Sequence, residues 1–202
     1  MYNNCAYILL GLVIEKLTHL DYKEYLINNV FRPCGMDRTR FCAMDGINDN
    51  TAENYVAIYN GQGEIIGWKK NIYSYPPIGG TDGGVYTTAY DLDCFIRNIH
   101  KILPKDSIKK LFSPQCEFKR PFTRWKPELN ATIRNGFGFE FVEIGQEIFC
   151  IRKDGMNEGV SAILSYYPKY DVDIIILSNQ GDNVWELQRR LQTVLYHISH
   201  AG

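Results

Sequence analysis

Three short polar stretches of the 202-residue chain carry side chains able to do chemistry: Tyr2-Asn3-Asn4, a glycine loop at 79–84 running on through Thr87 and Thr88 to Asp91, and Lys153-Asp154-Gly155. The first sets a phenol and two amides at the mouth of an apolar run. The third sets an ammonium and a carboxylate at the end of a strand-like segment. Taken singly, each also has a purely structural explanation. Asn4 reads as a helix N-cap, the glycine loop as a turn feeding a cap, and Lys-Asp-Gly as a hairpin turn. Nucleophilic chemistry needs an activated hydroxyl or thiol. Ser107-Ile108-Lys109-Lys110 is the one Ser-x-x-Lys in the chain. Around it, Lys105, Lys109 and Lys110 read as the solvated face of a surface helix anchored by Ile108, Leu111 and Phe112. Metal chemistry is not indicated, because the six cysteines (5, 34, 42, 94, 116 and 150) form no CxxC pair and do not cluster with the four histidines. They read as reduced thiols packed as small hydrophobes, and no metal or cofactor is expected.

The elements that must position these groups follow from periodicity. Residues 4–18 are apolar almost all round, which predicts a buried helix. Asp21 starts a second helix with Glu24 at the capping-box position, ending at Arg32-Pro33. Residues 55–70 alternate on both sides of a glycine-rich centre and predict a hairpin. A helix follows from Thr88 or Ala89 to His100, and a short amphipathic helix spans Pro104 to Phe112. From Gly136 the pattern changes to four strands: two joined at Ile144–Gln146, then two joined at Lys169–Asp171. A closing helix with Val184, Leu187, Leu191, Val194, Leu195 and Ile198 must cover one face of the sheet. The expected fold class is α+β: a mostly helical region at 1–135, then antiparallel strands and a helix at 136–202, together part of one domain. A hydrophobic content of 45% with 22% charged residues fits a packed globular chain. The net charge of −1 gives no basic field for nucleic acid. No apolar run is long enough to span a membrane.

Together, in this order and with these flanks, the three stretches resemble the serine β-lactamase and penicillin-binding-protein superfamily. The branch they match best contains class C β-lactamases, D-alanyl-D-alanine carboxypeptidases and related esterases. Residues 2–41 are similar to its segment of Tyr-x-Asn, two helices and a Pro-Leu-Gly-Met turn, with Cys34 in place of the leucine. Residues 83–99 resemble its Gly-Gly, Thr-Thr-Ala, x-Asp-Leu helix. Residues 135–179 resemble its closing strands, with a Lys/His-x-Gly motif and an apolar strand ending in Asn. The resemblance implies a fold of the β-lactamase/transpeptidase type and hydrolysis of an ester, a peptide or a β-lactam-type ligand through an acyl-enzyme. It also implies a job for each residue. Tyr2 would be the base or proton relay, and Asn4 would hold the substrate amide and the motif lysine. Lys153 would add positive potential for a substrate carboxylate. Gly155 leads to Met156, whose backbone N–H would form half of the oxyanion hole. Asp154, where the family has Thr, Ser or Gly, would place a carboxylate near the cleft beside Asn157. That shifts the expectation toward esterase or peptidase-like ancestry.

The family's nucleophilic Ser-x-x-Lys comes well before Tyr-x-Asn, whereas here only Met1 precedes Tyr2. The expectation is therefore a C-terminal portion without that segment, inactive alone, with any signal peptide on the missing part and localisation open. The alternative is a non-catalytic remnant acting as a binding or dimerisation module. Without the serine helix, the apolar faces of 5–17 and 89–99 would be bare or would border a void. A homodimer covering them is the expected remedy.

Overall fold

A computed structural model describes residues 3–72, 77–121, 131–181 and 184–200, and the account below is of those residues. The chain forms two compact units. The first comprises 1–102, 157–160 and 179–181, and the second 103–156, 161–178 and 182–202.

The first unit opens with α1 (Asn4–Thr18) and turns through His19, in the left-handed region at φ 58°, into α2 (Tyr22–Leu26). Asp21 caps α2 through the N–H groups of Lys23 and Glu24. The helical path does not end at Arg32-Pro33 as expected. It widens into one π turn (Ile27–Phe31) and closes with α3 (Arg32–Cys34), capped by Gly35 at φ 77°. Proline has no N–H to donate to the preceding turn, and the wider turn accommodates it. Phe31, Cys34 and Met36 form a core with Phe41 and with Leu92 and Phe95 of α4 (Ala89–Asn98). The hairpin is present as β1 (Tyr55–Tyr59) and β2 (Ile65–Lys70), antiparallel. Its turn is closed by the Asn60 side chain, which accepts from the N–H groups of Gln62 and Glu64.

Two expectations for this unit change. The face of 89–99 is not left bare, since Ile96 of α4 and Ile99 just after it are buried and Leu92 and Phe95 pack on the Phe31 core. Helix α1 is not the buried helix expected. Leu9 is 62% and Leu17 76% exposed, with Leu10, Leu12 and Val13 also exposed, and Gly11 is its one buried residue. An apolar sequence all round specifies a demand for cover on every side. Within the unit, α1 is covered mainly along the line of Gly11.

The second unit holds α5 (Lys105–Leu111) and a six-stranded sheet in the order β3 (Cys116–Pro121), β4 (Ala131–Asn135), β5 (Glu140–Ile144), β6 (Glu147–Asn157), β7 (Val160–Tyr167), β8 (Val172–Ser178). The last four match the expected strands; β3 and β4 were not expected. Each pairs antiparallel with its neighbour where the register is given, and β4 aligns Ile133 with Val142 of β5. Val142, Cys150 and Tyr167 are fully buried and form the core with Phe149 and, from α6 (Val184–His200), Leu195 and Tyr196.

The closing helix covers the sheet with only part of the expected face, through Val184 and Leu195. Val184, Gln188 and Gln192 point inward and are buried, while Leu187, Leu191, Val194 and Ile198 are exposed. The Gln188 amide accounts for part of this choice, donating to Ser165 Oγ at 2.7 Å and to Tyr167 Oη at 3.0 Å. Burying a glutamine is tolerable only with such partners. No helix among the described residues is long and apolar enough to cross a membrane.

Candidate functional site

Of the first stretch, Tyr2 lies outside the described residues. The capping role expected for Asn4 belongs to Asn3, whose Oδ1 accepts from the Cys5 N–H at 2.8 Å. Asn4 is the first helical residue and is exposed.

The glycine loop folds on itself through Gly80 and Gly83, whose backbones exchange hydrogen bonds of 2.7 and 3.2 Å. Gly79 sits at φ 80°, where a Cβ would stand 2.7 Å from the Gly84 carbonyl oxygen, so only glycine fits. Its own carbonyl accepts from the Tyr22 hydroxyl at 2.9 Å. Thr81 packs against Gly11 so closely that any Cβ at 11 would overlap its Cγ2. The loop is thereby seated on α1, and the first two polar stretches belong to one assembly. Past the loop, Thr88 caps α4 by accepting from the Asp91 N–H at 3.1 Å. The Asp91 carboxylate, buried, accepts from Thr39 Oγ1–H at 2.6 Å and from the Arg38 N–H at 2.9 Å. This threonine and aspartate therefore brace the helix start rather than face a cleft.

Lys153-Asp154-Gly155 is not a hairpin turn. It lies inside β6, and the turn comes later, with Gly159 at φ 79°. Successive side chains of a strand point to opposite faces. Cys150, Arg152 and Asp154 lie on the face toward α6, so Ile151, Lys153 and Gly155 take the other. Arg152 is buried and paired with Glu140 at 2.9 Å. The Asp154 carboxylate was expected near the cleft; in the structure its Oδ2 accepts the Trp185 indole N–H at 2.7 Å. The Lys153 ammonium donates to the Asp154 carbonyl oxygen at 2.7 Å. Gly155 and Met156 are exposed, Met156 at 61%. Lys153 to Met156 belong to the second unit, and Asn4 and Asn157 to the first.

The far end of β6 is tied down within the first unit. Asn71 Nδ2 donates to the Glu158 carbonyl at 2.6 Å, and Asn179 Nδ2 to the Glu53 carbonyl at 2.9 Å. Behind β6, burial pushes the Cys150 thiol up to about 11 and raises the Tyr167 phenol in the same sense. Such a thiol stays protonated and inert at neutral pH. All six cysteines are free thiols. Ser107 and its lysines lie on α5, which buries none of its residues, with Lys109 and Lys110 exposed, as a surface helix requires. Among the described residues no His/Cys/Asp/Glu group is arranged to hold a metal ion.

Sequence reasoning missed Trp185 and Asn71. Their partners lie 31 and 87 positions away, and no local spacing signals such a pairing.

Comparison with known proteins gives a consistent picture. The family described as Beta-lactamase matches residues 1–197. Penicillin-binding protein 4* of Bacillus subtilis is 24% identical over 208 residues, covering 98% of this chain and 43% of that protein. The crystal structure of a penicillin binding protein from Bacillus halodurans superposes with a TM-score of 0.83 at 28% identity, covering 96% of this chain and 56% of that one. A class C beta-lactamase superposes with a TM-score of 0.58 at 16% identity, covering 91% and 53%. The chain thus spans less than half the length of that curated relative and little more than half of each solved structure.

Proposed function

Because the chain belongs to the beta-lactamase family, we propose that it forms the C-terminal part of a serine hydrolase that cleaves an ester or amide through an acyl-enzyme. It is inactive as residues 1–202. One observation carries this reading: β6 runs straight through Lys153-Asp154-Gly155 and turns Lys153 away from the helix-covered face. A strand that presents an ammonium on the face opposite α6, followed by an exposed backbone at Gly155 and Met156, suits a substrate carboxylate and a developing oxyanion. Tyr2 serves as base or proton relay and Asn4 as a substrate and lysine contact, with Asn157 at the substrate's edge. Asp154 enters as an anchor bonded to Trp185, not as the substrate-facing carboxylate expected from sequence. The nucleophile is not Ser107, whose helix buries none of its residues. Both units belong to one β-lactamase-like domain, and the ligand is a small ester, peptide or β-lactam.

The exposed leucines of α1 favour a second reading, a non-catalytic module that dimerises over that face. The intact mass of the protein from its source cells tests the first reading. A species some ten kilodaltons or more heavier, carrying Ser-x-x-Lys in its extra sequence, supports the hydrolase. A species of the mass of these 202 residues sinks it. Light scattering then tests the second reading: a soluble monomer counts against the dimer.

A further inference from the structure

Asp154 is held at both ends. Its carboxylate takes the Trp185 indole N–H at 2.7 Å, and its carbonyl oxygen takes the Lys153 ammonium at 2.7 Å. Trp185 is itself fixed by position, since it is the second residue of α6 and follows the fully buried Val184. Past Asp154 the strand continues beside β7 to Asn157, but without close side-chain contact at Gly155. Gly155 has no side chain, nothing lies within 4 Å of where its Cβ would be, and it is exposed, as is Met156. The Asp154 carbonyl and the Gly155 N–H share one planar peptide unit, so orienting the first orients the second. A hydrogen bond to an ionised carboxylate is short, strong and directional, which suits it to that task.

We propose that Trp185 is a positioning residue. Its indole N–H, acting through the Asp154 carboxylate, holds the Asp154–Gly155 peptide within the β6 ladder, and with it the seat of the Lys153 ammonium and the path of the strand into Met156. The functional part of this statement rests on the hydrolase reading of Lys153 and Met156; the coupling itself does not. The helix that covers one face of the sheet thereby sets the geometry of groups presented on the other.

Amide hydrogen exchange and 15N spectra of the 202-residue chain test the coupling without any ligand. In Trp185→Phe and in Asp154→Leu, the Gly155 and Met156 amide signals move in the same direction. Their exchange quickens about tenfold while β5 and β7 stay as they were. Asp154→Asn, whose amide oxygen still accepts the indole N–H, retains the original signals, and the Phe/Leu double variant adds nothing to either single. Unmoved Gly155 and Met156 signals in Trp185→Phe overturn the proposal. So does an Asp154→Asn spectrum as perturbed as that of Asp154→Leu, a comparison that stands even if Trp185→Phe does not fold. The hydrolase reading fails separately, on the intact-mass measurement, which does not involve Trp185.

Discussion

The leading helix of the first unit and the central strands of the second are similarly apolar in sequence, yet they end in opposite surroundings. In β5, β6 and β7, Phe141, Val142, Cys150 and Tyr167 are at 0% exposure, while four leucines and a valine of α1 are half exposed or more. A strand needs cover on two faces, and its neighbours satisfy its backbone. On the face toward α6, the second unit supplies that cover from its own residues. A helix that is apolar all round needs partners on every side, and α1 receives close contact from the glycine loop at Gly11. The second unit therefore carries its own core, and the first carries an unmet demand.

Substitutions in the two regions should differ accordingly. The largest effect is expected at Phe141, whose replacement by alanine empties a fully buried site; denaturant unfolding should show a loss of about 3–5 kcal/mol. An undiminished unfolding midpoint there would deny the second unit its own core. Alkaline pH should act on the same core. The Cys150 thiol keeps its proton to about 11 in the fold against 9.0 ordinarily. Stability is then full below pH 9 and falls between pH 9 and 11, by about 2–3 kcal/mol. Melting curves at stepped pH should show the fall, and Cys150→Ala should remove its onset between pH 9 and 10, leaving the part that the raised Tyr167 phenol contributes above pH 10. In the first unit, Gly11→Ala should cost about 1–3 kcal/mol by forcing Thr81 out of contact, and should loosen the glycine loop in amide exchange. Smallest of all, Leu17→Ala should change stability by no more than about 0.5 kcal/mol in this chain. A loss of 2 kcal/mol or more on the ~kcal scale of a buried leucine would mean that α1 is covered after all.

What was legible in the sequence and what was not divide along physical lines. Helix and strand identities follow from local periodicity, so α1, α4, the hairpin and strands β5 to β8 could be read directly. Strands β3 and β4 could not: one ends in Pro121, and the other is five residues long with Thr132 and Arg134 alternating against Ile133. The face that a helix buries depends on its partner. Of the apolar stripe of α6, Val184 and Leu195 face the core but Leu187, Leu191, Val194 and Ile198 do not, and Ser165 and Tyr167 offer hydrogen bonds that draw Gln188 inward. For the candidate site, the placement of Lys153 in a strand was readable from the motif and its flanks. The Asp154 partner was not, because Trp185 reaches it only through tertiary packing.

The most direct test is acylation of the 202-residue chain itself. It would be incubated with a fluorophosphonate and with a fluorescent penicillin, then weighed intact by mass spectrometry. The account predicts no adduct at any serine or cysteine. A stoichiometric adduct, above all one mapped to Ser107, would contradict it and make these residues a hydrolase in their own right.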